Sequence, residues 1–334
     1  MKKKALGLVM ALVAVAALTA CGGNSNASDN AQETTKAQAS AGKEIKFTTG
    51  GDQGTYYGFG SVLAGQVSGS TDSKITAITS GGSQANIEAM EIGDAQLGFV
   101  QSDVMAYAYD GTKTFEGAAV KDFSTVAALY MEQVQIVTCN PDIKTVADLK
   151  GKNVSIGAPG SGVYFNAMDI LGAYGLTEKD INPTFESFGD SVESLQDGKI
   201  DAAFITAGAP TTAVTSLGTS KKIYLVGIDD EHINKLVEEC PYYSKDVIAK
   251  DVYGTDADTT TVAVGAVVVA RDDVSEDDVY NFVQGVFENT DKIKSAHAKG
   301  AELDLEFAGS VTAVPYHKGA AKYFQEKGME VPVK

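Results

Sequence analysis

Two stretches of this 334-residue chain repeat the same order of short segments, and this repeat limits the fold more than any other feature of the sequence. Each stretch begins with an apolar segment typical of a strand, at 45–49 and at 153–157. A glycine-rich loop and a helical pattern follow, and the two loops align when Gly54 is matched with Gly162. Strands that alternate with helices of this length predict βαβ units with right-handed crossovers.

Each stretch also ends in the same way, with a helix, a glycine and another strand. Gly93 in the first repeat (45–103) and Gly198 in the second repeat (153–208) occupy the position of a left-handed helix C-cap. A long helix is predicted over 275–289 with Ser275 as its N-cap. Further strands are predicted at 95–100, 124–129, 134–138, 201–205, 223–226 and 262–270.

The repeat predicts an α/β protein with two similar lobes and a cleft between them. We assign 44–136 plus 262–334 to lobe 1 and 137–261 to lobe 2. Ligands of open α/β sheets bind beyond the carboxyl ends of the strands, where helix N-termini point outward. The loops of both repeats follow such strand ends, so the cleft is the predicted ligand site.

The N-terminal segment has the pattern of an export signal rather than of a folded element. A basic start and a short apolar run form a signal peptide over 1–20, and this run is too short to span a bilayer. The sequence Leu-Thr-Ala before Cys21 resembles a bacterial lipobox, which implies lipidation of Cys21 and a membrane anchor. Residues 21–43 are small and polar and are predicted to form a flexible tether.

The charge balance excludes two classes of partner. Asp and Glu number 44 against 27 Lys and Arg, for a formal net charge of -17. Nucleic acids and anionic membrane surfaces bind through clustered positive charge, so neither is an expected partner. The single Arg, Arg271, stands beside Asp272 and Asp273 and is expected to pair with an acid. An anionic ligand would therefore depend on backbone amides and hydroxyls.

Two loops have the composition of an anion-binding turn. Gly160-Ser161-Gly162 precedes a helix and could direct amide groups at a carboxylate, and residues 80–83 repeat this composition before another helix. The alternative is purely structural: these glycines make tight turns, and Ser83 and Ser102 serve only as N-caps. The tyrosines of the loops could likewise be core aromatics.

Sequence motifs of enzyme chemistry are missing. There is no Walker loop, no G-x-S-x-G elbow and no H-E-x-x-H helix, and neither a metal nor a cofactor is predicted. His232, His297 and His317 are scattered and expected at the solvated surface. Cys139 and Cys240 would face an oxidising compartment, and whether they pair is left open. The protein is therefore predicted not to be an enzyme.

Five co-linear segments closely resemble the TAXI family, the solute receptors of tripartite ATP-independent periplasmic (TRAP) transporters. The segments are FTTGG with GTYY (47–57), TSGGS (79–83), FVQSD (99–103), SIGAPGSG (155–162) and DAAFITAG (201–208). The resemblance implies a two-lobed type II periplasmic-binding-protein fold, often compared to a Venus flytrap, that closes on one small ligand. A departure is Val163, where the family often carries Thr.

The resemblance also implies a function, a partner and a set of ligand contacts. The ligand would be glutamate, glutamine or a related dicarboxylate, delivered by a monomeric receptor to an ion-gradient-driven permease. Carried over by position, the cleft would be lined by Thr55, Tyr56, Ser83, Gln101, Ser102, Ser161, Gly162 and Thr206. Gly54, Tyr130 and Val163 complete the predicted ligand-binding set.

Two alternatives remain for the sequence. The same fold could serve an ABC importer or a membrane sensor. An extracytoplasmic hydrolase with its site in the cleft is a third function, which the missing catalytic motifs disfavour. The signal peptide and the lipobox predict a protein outside the cytoplasm, lipid-anchored to the cell membrane.

Overall fold

One continuous mixed sheet organises the chain in the computed structural model, which describes residues 44–334. The predicted signal peptide, Cys21 and the tether lie outside the described residues. Within them, the strands are β1 (Ile45–Thr48), β2 (Ile75–Ile78), β3 (Leu97–Gln101), β4 (Phe123–Thr138), β5 (Asn153–Ser155), β6 (Asn182–Thr184), β7 (Ala202–Ala207), β8 (Tyr224–Leu225), β9 (Ser244–Ile248) and β10 (Thr259–Arg271).

Helices of both repeats pack against this sheet. They are α1 (Thr55–Ser70), α2 (Ser83–Glu91), α3 (Ser102–Asp110), α4 (Val163–Ala173), α5 (Phe188–Asp197), α6 (Thr212–Ser220), α7 (Asp230–Glu239), α8 (Lys250–Tyr253), α9 (Glu276–Phe287), α10 (Thr290–Ala296), α11 (Leu305–Ala308) and α12 (Lys318–Glu326). Short 3₁₀ turns lie at Lys113–Phe115, Val146–Leu149, Glu178–Asp180 and Ala298–Glu302. In the part of the chain that the structure describes, no helix has the length and hydropathy needed to cross a membrane.

The strand order confirms the repeated α/β architecture. The order is β2-β1-β3-β10-β4-β7-β5-β6, with β8 beside β4 and β9 beside β10. In the first repeat β1 lies between β2 and β3, and in the second β5 lies between β6 and β7, all in parallel. The antiparallel strands β4 and β10 join the two parallel groups.

The structure joins two strands that were predicted as separate, and it confirms the predicted helix caps. The separate strands expected at 124–129 and 134–138 are one strand, β4, because the intervening residues continue to pair with β10. Gly93 and Gly198 both have positive φ, and the Ser275 hydroxyl accepts a hydrogen bond from the Asp278 amide at the start of α9, as predicted.

The two long strands contribute to two separate hydrophobic cores. One core contains Val126, Ala127, Leu129 and Tyr130 of β4, and the other contains Val134 and Ile136. Likewise, Ala266 of β10 lies in the first core and Val262 in the second. The predicted lobe limits at 136/137 and 261/262 fall inside these strands, and they stay a prediction.

Candidate functional site

Besides α5, which the Ser187 side chain caps, three helices begin at the wall of one cavity of about 80 Å³. They are α1, α2 and α4, whose N-cap residues are Gly54, Gly82 and Gly162. None of these glycines can supply a capping side chain, and no side-chain cap hydrogen bond forms at any of the three helix starts. The first amide groups of a helix have no intrahelical acceptor and carry partial positive charge, and here no side-chain cap satisfies them. Such convergence creates a site for an anion.

Most of the predicted site residues line this cavity. They are Gly54, Thr55, Tyr56, Ser83, Gln101, Ser161, Gly162, Val163 and Thr206. The structure does not bring Ser102 and Tyr130 to the cavity wall. The Ser102 hydroxyl instead accepts a hydrogen bond from the Gly265 amide of β10 at 2.9 Å, and Tyr130 is buried in the first core. The role of the lining residues as ligand contacts stays a prediction.

Loops of the two repeats meet directly around the cavity. The Ala85 amide donates to the Gly160 carbonyl at 2.9 Å, and the Thr55 hydroxyl donates to the Gly208 carbonyl at 3.0 Å. This contact needs glycine: Gly82 has a φ of +114°, and a Cβ there would lie 3.3 Å from the Ser161 Cα. Backbone of both repeats therefore forms part of the cavity wall.

Several polar side-chain atoms at the cavity are buried without a partner among the described residues. They are the hydroxyl oxygens of Ser161 and Thr206 and the Oε1 atom of Gln101. A buried polar atom without a hydrogen bond costs free energy, and a bound polar molecule would remove that cost. By contrast, Ser83 is not an N-cap: its hydroxyl oxygen accepts from the Gln101 amide at 3.1 Å.

Glu132, which sequence reasoning missed, also lines the cavity. Its side chain is only 2% exposed, and its Oε2 atom accepts a hydrogen bond of 2.6 Å from the Tyr56 hydroxyl. Burial raises the pKa of Glu132 to about 8, and Asp103 adds to the rise. The available signal was an acidic residue within a strand whose other residues are mostly apolar.

A buried polar network connects the cavity with its surroundings. Gln101 Nε2 donates to Asn166 Oδ1 at 2.8 Å, and Asn166 Nδ2 donates to Asp103 at 2.9 Å and to the Tyr243 hydroxyl at 2.8 Å. Burial raises the pKa of Asp103 to about 7, and the negative charge of Asp169 contributes to this rise. Asn166 thus links helix α4 of the second repeat to two residues of the first.

Other candidate groups lie apart from the cavity. The Arg271 Nε atom donates to Asp273 at 2.8 Å, which confirms the expected pairing with a neighbouring acid. The expectation for His317 was wrong: it is buried, and its Nδ1 atom accepts from the Gly319 amide at the start of α12. Cys139 and Cys240 are both free thiols. Across residues 44–334, no three His, Cys, Asp or Glu side chains come together to hold a metal ion.

The α/β fold, with one mixed sheet and a cavity at helix N-termini, is similar to that of several solved structures, one of them a periplasmic transporter. Similar solved structures include MatC from Rhodopseudomonas palustris with bound malate, at 14% identity and a TM-score of 0.54, covering 78% of this chain and 89% of that chain. A structure described as a periplasmic transporter is 15% identical with a TM-score of 0.52, covering 76% and 85%. A protein of Bordetella bronchiseptica RB50 is 16% identical with a TM-score of 0.52, covering 86% and 98%.

Sequence comparison defines the family. The profile of the NMT1-like family matches residues 47–328, which is most of the chain and includes both repeats. The chain therefore belongs to the NMT1-like family.

Proposed function

We propose that this protein is an extracytoplasmic solute-binding receptor that captures a small carboxylate and does not transform it. One observation carries the proposal: three helices without side-chain caps begin at a single cavity. The unpaired hydroxyl groups of Ser161 and Thr206 at the same wall provide further donors.

The positive charge at the cavity comes from helix N-termini and favours an anionic group. Of the described residues that line it, none is Lys, Arg or His. Each helix N-terminus carries roughly half a positive charge, so three of them balance about one anionic group or somewhat more. Because the cavity is small, a compact solute fits it better than a polymer or a peptide. Recognition by amides and hydroxyls is the expectation drawn from the scarcity of Arg in the sequence.

The proposed transport system is a TRAP transporter of the TAXI type. The five segments that resemble this family include the loops that surround the cavity. MatC, which has a similar fold, holds malate, a small dicarboxylate. Glutamate, glutamine and related dicarboxylates are therefore the first candidates, handed to an ion-gradient-driven permease. Lipidation of Cys21 would hold the receptor at the membrane, and movement of the lobes about β4 and β10 would open the cavity.

Thermal unfolding with a panel of amino acids, dicarboxylates and 2-oxo acids tests the binding function. A ligand that binds only the folded protein raises its melting temperature, by an amount that grows with ligand concentration. We expect at least one small carboxylate to do so and to give a calorimetric binding isotherm. If no compound of the panel shifts the melting temperature or gives heat, the proposed function is wrong. Once a ligand is found, uptake assays with membranes containing the permease separate ion-driven from ATP-driven transport.

A further inference from the structure

Glu132 is the one carboxylic acid among the described residues that line the cavity. Its two oxygens have different environments. Oε2 accepts the hydrogen bond of 2.6 Å from Tyr56, whereas Oε1 has no hydrogen-bond partner among residues 44–334. A buried carboxyl group with a free oxygen at a cavity wall is available to a ligand.

Among the groups around Glu132, no cation contacts its carboxyl group. Tyr56 of α1, Tyr130 of β4 and Asp103 of α3 face it, and the Asp103 carboxyl group disfavours a second negative charge. Lys299 is the only cation among these groups, and its ammonium group pairs with Glu302 at 2.5 Å. The free oxygen of Glu132 therefore has no cation in contact with it.

We propose that Glu132 recognises a cationic amino group of the ligand, so that the solute is an amino acid rather than a plain carboxylic acid. This inference rests on the proposed function and narrows its substrate class. The carboxylate of such a solute would take the helix N-termini, and its ammonium group would donate to Glu132 Oε1. Each end of a zwitterion then meets an opposite charge.

The proposal predicts a proton release. With a pKa of about 8, Glu132 is mostly protonated in the empty protein at about pH 7. An ammonium group beside it favours the ionised form, so the Glu132 proton passes to solvent when the ligand binds. A ligand carboxylate at the same place would require Glu132 to stay protonated and would cause proton uptake instead. The two kinds of ligand thus give opposite signs.

Calorimetry in buffers of different ionisation enthalpy measures this sign. The probes are amino acids, each paired with the acid that lacks only the amino group, such as L-glutamate with glutarate. We expect the amino acid of a pair to bind and to release close to one proton at about pH 7, falling toward zero above about pH 9. We expect its partner to bind about 10- to 100-fold more weakly, the loss of a hydrogen-bonded charge pair.

Glu132→Gln tests the assignment to this residue, with the exposed Glu193→Gln as a matched control. Glu132→Gln should lose the proton release and about 10- to 100-fold in amino-acid affinity, while Glu193→Gln should retain both. Preferred binding of the acids without an amino group, or an unchanged proton release in Glu132→Gln, overturns the inference and leaves the proposed function intact. If neither member of any pair binds, the proposed function fails as well.

Discussion

The N-termini of α1 and α4 are matched by the sequence repeat, yet the space around their N-cap glycines differs. A Cβ at Gly54 would lie 3.4 Å from the Phe188 ring, which is an ordinary contact. A Cβ at Gly162 would overlap Gln101 Oε1, although Gly162 has a φ of -70° that any residue adopts. The close approach of the first repeat, and not the backbone conformation, requires glycine at position 162. The second loop is thus where the repeats meet most tightly.

The next matched pair, Tyr56 and Tyr164, differs in where the two side chains point. Tyr56 is buried at the cavity and donates to Glu132, whereas Tyr164 is half-buried and donates at 3.2 Å to Glu178 of the 3₁₀ turn. Both tyrosines occupy the second position of their helices. The repeat therefore determines where a residue lies along the fold, while local packing determines whether its side chain faces the cavity.

The largest expected effect concerns the N-cap glycines that the repeat matches, Gly54 and Gly162. Gly162→Ala would displace Gln101, which is held by its hydrogen bond to Asn166, and the closed cavity could not form around a ligand. We expect ligand affinity in calorimetry to fall by about 100-fold or more, since both the packing and a buried hydrogen bond are lost. The matched Gly54→Ala should change affinity by less than about 3-fold.

The melting temperature of the empty protein distinguishes this effect from misfolding. The added Cβ overlaps Gln101 of the other repeat, so a form of Gly162→Ala with the repeats apart avoids the overlap. The melting temperature of the empty variant should therefore stay close to that of the wild type. Equal affinities of the two alanine variants would contradict the comparison.

The second effect concerns Asn166, whose matched position in the first repeat is Gly58. Asn166→Ala would leave Gln101, Asp103 and Tyr243 without their shared partner. We expect affinity to fall about 10- to 100-fold and unfolding free energy to fall by about 2 kcal/mol. Gly58→Ala adds a methyl 3.6 Å from His297 and should be near neutral. Titration and thermal unfolding of both variants test this, and a neutral Asn166→Ala would remove the network from the account.

A third effect appears as a pH dependence of the empty protein. The pKa values of Glu132 and Asp103 are raised to about 8 and about 7, so the folded state binds more protons than the unfolded state above about pH 4. Their contribution to stability is full below that pH and is lost as the pH rises through 7 and 8. The melting temperature should therefore decline toward pH 9 from this contribution. Glu132→Gln should weaken the decline, and a slope identical to that of Glu193→Gln would contradict the raised pKa.

The smallest expected effect separates the matched tyrosines. Tyr56→Phe removes the hydrogen bond to Glu132 and should weaken ligand binding about 3- to 10-fold, or about 1 kcal/mol. Tyr164→Phe removes only a peripheral hydrogen bond and should leave affinity unchanged. Calorimetry on the two single variants measures the difference, and an equal loss in both would show that the tyrosines are equivalent after all.

The sequence alone predicted the parallel groups and the loops that line the cavity, because glycine turns and strand periodicity are local signals. It did not predict Glu132 or Asn166. Glu132 lies in a strand that shows no motif, and Asn166 matters only because α4 packs against Gln101 and Asp103. It also placed Ser102 and Tyr130 in the ligand set, since order along the chain does not specify which face of an element turns to the cavity.

A crystal structure of the protein with a solute that binds in calorimetry tests the central claim most directly. We expect the solute inside the cavity, with a carboxylate within hydrogen-bonding distance of the first amides of α1, α2 and α4 and of the Ser161 hydroxyl. A solute bound elsewhere, with the cavity still holding no part of it, would contradict the claim.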